Sequence, residues 1–324
     1  MRERDIIARL RRFADHPAAR GLNDDAAVLG ELVLTHDAIA EGVHFFPFDP
    51  PASVGWKLVA VNLSDLAAKG ATPAGALMSL TIAGDGEWEQ AFLGGIEAAC
   101  ESYGLPLLGG DTIALPMGSP RVLSMTAIGR AGAAVPDRSG AKAGDALWLV
   151  GPVGDSAAGL AQLLDDKNAE GPLVDVYRRP VPLLAAGRAL APHANAMMDV
   201  SDGLLIDALA LSRASDCAVA IDLAALPLSA DFVEARGKDL DARLFAATGG
   251  DDYALLVALP EAVDPALVGV ADGTAMARVG TLSEGPPALT LTSGGRDVPL
   301  PGSLGHEHRP LAADPAVASR AKRP

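Results

Sequence analysis

A two-domain α/β fold is what this sequence predicts, on three observations. The chain has 324 residues, too many for one ordinary domain and enough for two, each with its own core. Strand-like and helix-like stretches alternate through both halves. Between them, the polar, glycine-containing segment Val135–Asp145 leads into the apolar strand ALWLVG. The expected division is therefore a first domain over 1–140 and a second over 141–324.

In the first half, helical spacing of apolar residues predicts helices over Glu3–Phe13, about Pro51–Lys69 and Glu87–Tyr103. Strands are predicted at Leu32–Asp37, through GALMSLTI, and around PLLGGDTI and RVLSMTAIGRA. The second half repeats the style. GDSAAGLAQLL opens a helix, MMDVSDGLLIDALALS runs from strand through turn to helix, and TGGDDYALLVAL from turn into strand. No residue-level repeat links the halves, and the closing ADPAVASRAKRP reads as a frayed tail.

Composition narrows the function. Hydrophobic residues make up 49% of the chain and aromatic ones only 4%, so the cores are aliphatic and the protein is expected to be soluble. Against 26 Lys and Arg stand 41 Asp and Glu, a formal charge of -15 whose field repels a nucleic-acid backbone. Polyanions such as ATP remain possible partners if divalent cations sit between the two sets of negative charge. Cys100 and Cys217 form no CxxC, no apolar run reaches a membrane span, and the charged N-terminus lacks a signal-peptide core. A reducing, cytoplasmic setting without membrane or nucleic-acid partners is the expectation.

The chemically distinctive feature is a series of Asp residues at turns and strand ends. They are Asp24 and Asp25 in GLNDDAAVL, Asp37 in LTHD, Asp65 in NLSDLAAKG, Asp111 in LLGGDT, Asp199 and Asp202 in MDVSDGL, and Asp251 and Asp252 in TGGDDY. Any one of these is ordinary turn chemistry. Together, carboxylates at one edge of apolar strands would repel one another and raise each other's pKa, unless a hard cation joined them. Magnesium commonly bridges one or two carboxylates to substrate phosphates and needs just such dispersed Asp residues. On the Pro51–Lys69 helix, Asn62, Asp65 and Lys69 form a polar stripe, either a solvated face with an i,i+4 ion pair or a functional one. Its apolar neighbours Leu58, Val59, Val61, Leu63 and Leu66 mark the helix as mostly buried.

There is no GxxxxGK[ST] and no strand-linked GxGxxG, which excludes the usual phosphate loops. Gly109–Gly110–Asp111 would let backbone approach a ligand, and Gly154–Gly159 resembles a capped helix start, with Asp155 and Ser156 read as ordinary capping residues. His44 stands seven residues after Asp37, and Arg138 lies in the interdomain segment as a linker charge or a phosphate clamp.

These ordered motifs, with DRSGAKAGD, GDSAAGLA and RRP between them, resemble the thiamine-monophosphate kinase family over most of residues 20–256. That family sits in the aminoimidazole ribonucleotide synthetase-like superfamily. The resemblance implies a two-domain fold whose N-terminal domains pair through their sheets in a homodimer, with ATP as co-substrate and several Mg2+ ions. By position, Asp25, Thr35, Asp37, Asp65, Asp111, Asp199 and Asp202 would be metal-site residues; Gly110, Asp111, Arg138 and Ser201 nucleotide contacts; His44 and Asp251 contacts to thiamine monophosphate. Asp65, Asp111 and Asp202 would act through metal, with no general base.

Three positions depart from the pattern. Asn23 replaces a frequent Gly, His36 a frequent Thr and Asp251 a frequent Glu. Where the family usually has an aromatic residue near the C-terminus, this chain offers His306 and His308. Two other readings stay open: a superfamily synthetase that activates an amide or selenide, though Cys100 and Cys217 are not where its reactive thiol would be, and a non-catalytic nucleotide or thiamine-phosphate sensor.

Overall fold

The computed structural model describes residues 3–84, 86–263, 268–270 and 274–307. The closing tail and His308 lie outside the described residues. The first half comprises α1 (Glu3–Leu10), β1 (Ala27–Leu29), β2 (Leu32–Ala40), α2 (Pro51–Ala68), β3 (Thr72–Ile82), α3 (Glu87–Tyr103), β4 (Leu107–Ala114) and β5 (Val122–Arg130). Its five strands form one sheet in the order β1-β2-β5-β3-β4. Only β3 and β4 run parallel, since α3 supplies the crossover that a parallel pair needs.

In the second half, the elements are β6 (Ala146–Val150), α4 (Asp155–Asp165), α5 (Pro172–Arg178), α6 (Leu184–Leu190), β7 (Ala196–Val200), α7 (Leu204–Ser215) and β8 (Ala218–Asp222). Then come α8 (Ala230–Arg236), α9 (Leu240–Thr248), β9 (Ala254–Leu259), β10 (Met276–Ser283), β11 (Ala288–Ser293) and β12 (Arg296–Val298). Their seven strands join in the order β12-β11-β8-β10-β6-β9-β7. Strands β7 and β9 are buried on both faces, which is why AMMDV and ALLVAL are unbroken apolar runs apart from Asp199.

Helix α2 is the pivot. Amphipathic by sequence, it is buried on nearly all sides, from Ser53 to Ala68 with Trp56 alone partly open, because α3 and the first sheet cover one side while α6 and β7 of the other half cover the rest. The Asn62, Asp65 and Lys69 stripe is therefore interior, not a solvated face. Gly187 lets α6 approach that closely: a Cβ there would stand 2.0 Å from the Ala67 carbonyl oxygen. One apolar core runs from Leu58 and Leu66 of α2 through Leu184 and Leu190 to Met197 and Leu255. The halves thus share packing, which fixes the carboxylates of α2 and β2 against those of β7.

Candidate active site

The turn Asn23–Ala26 before β1 puts Asp24 and Asp25 against the C-terminal end of α2. Lys69, fully buried, meets Asp24 at 2.5 Å and Asp25 at 2.8 Å and donates to the Met197 carbonyl at 2.8 Å. Arg20 pairs with Asp24 at 2.5 Å, and the Arg138 guanidinium with Asp25. Lys69 does not pair with Asp65, its i-4 neighbour. Burial would lower its ammonium pKa, but Asp25 and Asp24 outweigh that and hold it above the usual value. Burial likewise opposes ionisation of Asp25, yet Arg138 and Lys69 keep it below the ordinary carboxylate range.

Next along α2, Asp65 accepts a hydrogen bond from the Thr35 hydroxyl on β2. Asn62 accepts the Asp37 N–H at 3.0 Å through its amide oxygen and donates to Leu58, so it positions Asp37 instead of facing a ligand. Across the interface Ser64 donates to Asp199, at the end of β7, at 2.7 Å. One oxygen each of Asp25, Asp65 and Asp199 lie within 4.8 Å of one another. Burial, then Asp37, Asp199 and Asp25, push Asp65 well above the usual carboxylate range. Burial and Asp25 push Asp199 up to about 7.

Such a cluster is costly without a cation, and the cost has a pH signature. Folded Asp65 and Asp199 bind protons more tightly than in the unfolded chain, so between about pH 4 and 7 the folded state carries more protons and stability falls as pH rises. The lowered groups, Asp25, Asp251 and Glu89, act only below that window. Chelator-treated protein is expected to melt at a higher temperature at pH 6 than at pH 8, with added divalent cation narrowing the gap. A melting temperature that climbs from pH 6 to pH 8 under chelator would show that mutual repulsion of these carboxylates does not govern stability in this range.

The cluster forms the floor of a cavity of about 540 Å3 that Asp37, His44, Arg138, Ser201, Asp202 and Asp251 also line. At its far end, Lys57 on α2, eight residues before Asp65, is buried with its ammonium over the Tyr177 ring, 4.1 Å from the centroid. It donates to Asp251 at 2.8 Å and to the His44 carbonyl at 3.1 Å, while the Tyr253 hydroxyl donates to the other Asp251 oxygen at 2.9 Å. Burial alone would raise Asp251, but Lys57 outweighs it and holds the carboxylate below its ordinary range.

Of the residues expected from sequence, Asp25, Asp37, His44, Asp65, Arg138, Asp199, Ser201, Asp202 and Asp251 line this one cavity, with Thr35 beside Asp65. His306 lines it too, and its N–H donates to the Asp202 carbonyl at 2.8 Å. Gly110 and Asp111 lie elsewhere in the single chain, on the solvent-exposed strand β4, in a separate hollow of about 350 Å3 with His36, Ser79, Ser124 and Thr126. The α4 start also differs from the sequence reading. Its N-cap is Gly154 in a left-handed conformation, whose N–H is held by Asp252 at 2.9 and 3.0 Å, while Asp155 accepts from Ser229. Asp252 is thus a capping residue. Sequence reasoning missed Lys57, Arg20, Ser64 and Asp207; for Lys57 a signal existed, since residues 57, 61, 65 and 69 repeat at the four-residue spacing of one helix stripe.

Two family descriptions match the chain: AIR synthase related protein, N-terminal domain, over residues 23–131, and the C-terminal domain of the same family over residues 142–290. Thiamine-monophosphate kinase of Escherichia coli K12 is 39% identical over 254 residues, covering 74% of this chain and 76% of the relative. Its counterpart in Caulobacter vibrioides is 37% identical over 323 residues, covering 94% and 90%. Among solved structures, "AaThiL complexed with AMPPCP and TMP" superposes with a TM-score of 0.80 at 31% identity, covering 94% of this chain and 97% of that one.

Proposed function

Since the chain belongs to the thiamine-monophosphate kinase family, we propose that its cavity phosphorylates thiamine monophosphate to thiamine diphosphate at the expense of ATP, by direct in-line transfer. The single observation that carries this reading is the convergence of Asp25, Asp65 and Asp199 at the floor of a cavity that also holds Arg138. The relative complexed with AMPPCP and TMP, whose fold this chain shares, supports both partners.

The donor set fits magnesium. It consists of hard carboxylate oxygens from three separate elements, two of them on groups that resist ionisation until a cation offsets their repulsion. Asp25, Asp37, Asp65, Asp199 and Asp202, with Thr35 alongside, would hold Mg2+, which supplies charge neutralisation between carboxylates and phosphates. No residue here needs to act as a general base. The second pKa of an acceptor phosphate is near ~6, so its attacking oxygen is already anionic. What remains is to hold two polyanions in line. Arg138 offers a cation beside Asp25 for the nucleotide phosphates, Ser201 a further part of the wall for the nucleotide, and His44 and Asp251 contacts for thiamine. Lys57 and Tyr253 keep Asp251 ionised and aimed. Asp is one methylene shorter than the family's frequent Glu, and this fixed pair of partners sets where it can reach.

The reading takes 1–140 as the nucleotide, metal and pairing domain and 141–324 as the domain that completes the cleft. It includes a cytoplasmic homodimer formed through the N-terminal sheets. Leu107, Leu108 and Ile113 on β4 are each about half exposed along an edge with no further strand, a liability that a second copy would cover. Gly110 and Asp111 lie on that strand, so their nucleotide role belongs to the assembled dimer. Among the described residues no helix is long and apolar enough to cross a membrane.

The test is direct. Purified protein with ATP, magnesium and thiamine monophosphate is expected to yield thiamine diphosphate and one ADP per product. Binding of both compounds without ADP release would leave a sensor in place of a kinase.

A further inference from the structure

Strand β7 ends at Val200, the chain turns through Ser201–Gly203, and α7 begins at Leu204. A helix start leaves several N–H groups without intrahelical partners. Here the N–H groups of Ser201, Asp202 and Gly203 converge on a single atom, Oδ2 of Asp207, at 3.1, 3.2 and 3.1 Å. Three successive N–H groups around one oxygen form the kind of concavity that binds anions. In this chain the anion is the protein's own, folded back from the first turn of α7 and buried at 6% exposure.

The outward side of the same turn is tied by its carbonyls. Ser201 accepts from the Asp251 N–H at 2.7 Å, Val200 from Tyr253 at 2.8 Å and Asp202 from His306 at 2.8 Å. Gly203 permits the bend, with φ of 128° and Thr248 and Gly249 carbonyls where a Cβ would sit. The turn therefore has two outer ties from cavity-lining loops, with a third on Val200 just before it, and one inner tie, Asp207. The two residues it aims, Asp199 and Asp202, face the cavity.

We propose that Asp207 is a positioning residue: by filling the N–H concavity of the Ser201–Gly203 turn it sets Asp199 and Asp202 in their cation-binding arrangement, without touching substrate. The cation-binding part rests on the function proposed above. Burial, Asp202 and Asp199 raise the Asp207 carboxyl, against the Gly203 N–H and Arg138. Its carbonyl-type oxygen accepts the three N–H groups whether or not the other oxygen is protonated.

Two readouts on the full chain test this, one needing no metal. In cation-free protein, hydrogen exchange of the amides of residues 201–203 is expected to be slow and to accelerate in Asp207→Ala. Added formate, a carboxylate small enough for the emptied concavity, restores protection in that variant and changes nothing in the wild type. In a Mg2+ titration followed by calorimetry without nucleotide, Asp207→Ala is expected to bind roughly 10- to 100-fold more weakly, as removal of a residue supporting a metal ligand typically does. Formate recovers part of the loss, and Asp207→Asn, which keeps one acceptor oxygen, loses less. Unchanged amide exchange in Asp207→Ala overturns the proposal, as does weakened Mg2+ binding that neither formate nor Asn relieves. Should Asp207→Ala not fold, Asp207→Leu, of similar size and without an acceptor oxygen, carries both readouts, and wild-type exchange and affinity in it would also overturn the proposal. Wild-type protein with protected amides that binds no Mg2+ would instead remove the metal reading above.

Discussion

Asp65→Asn is expected to lower turnover roughly a hundredfold, the ~3 kcal/mol that one well-placed group stabilising transition-state charge typically supplies. The same variant should raise the melting temperature of the cation-free protein. The two effects have one cause. Asp65 faces Asp37, Asp199 and Asp25 in a buried setting, and the Thr35 hydroxyl offsets part of that crowding. An amide of equal size keeps the Thr35 contact and removes the charge, so the folded state gains where catalysis loses. Steady-state rates across a magnesium titration, with melting curves in chelator, check both halves. Near-normal turnover, or a lower chelated melting temperature, would mean that Asp65 serves packing and not charge.

Lys69→Met is expected to destabilise the fold by about 3–5 kcal/mol, the usual result of removing one partner from a buried ion pair. The loss is large because Lys69 serves three acceptors at once. Its ammonium meets both Asp24 and Asp25 and closes the Met197 carbonyl on β7, so methionine leaves a buried peptide oxygen without this donor and two buried carboxylates with only Arg20 and Arg138 to offset their charge. Since Lys69 caps α2 at its C-terminal end and β7 lies in the other half, the substitution also cuts a polar tie between halves. Urea unfolding gives the answer through its midpoint. A change under about 1 kcal/mol would show that Arg20 and Arg138 neutralise the acidic pair by themselves.

Particular elements show how far local pattern carries. The span Glu87–Tyr103 is the observed α3 to the residue, because its apolar spacing and the Gly104 stop act within the segment itself. Pro51–Lys69 is placed within one residue and its apolar neighbours mark it as mostly buried, but whether its polar stripe is interior was not legible, because that depends on α6 and β7, far away in sequence. The α4 start fails for the same reason. Asp155 and Ser156 look like capping residues in sequence, but Asp252 reaches the Gly154 N–H from almost a hundred residues on.

The sequence by itself determined the set of acidic turns, their order, the absence of a P-loop and hence the family, since each is a matter of residue type and local spacing. Only the tertiary structure decided which oxygens meet. It brought Asp25, Asp65 and Asp199 together, gave Lys69 to Asp24 and Asp25 instead of Asp65, set Lys57 on Asp251, and left Gly110 and Asp111 on an open edge. The reason is physical: turn and helix signals act over a few residues, whereas a carboxylate's charge, burial and partners come from whichever distant segments pack against it.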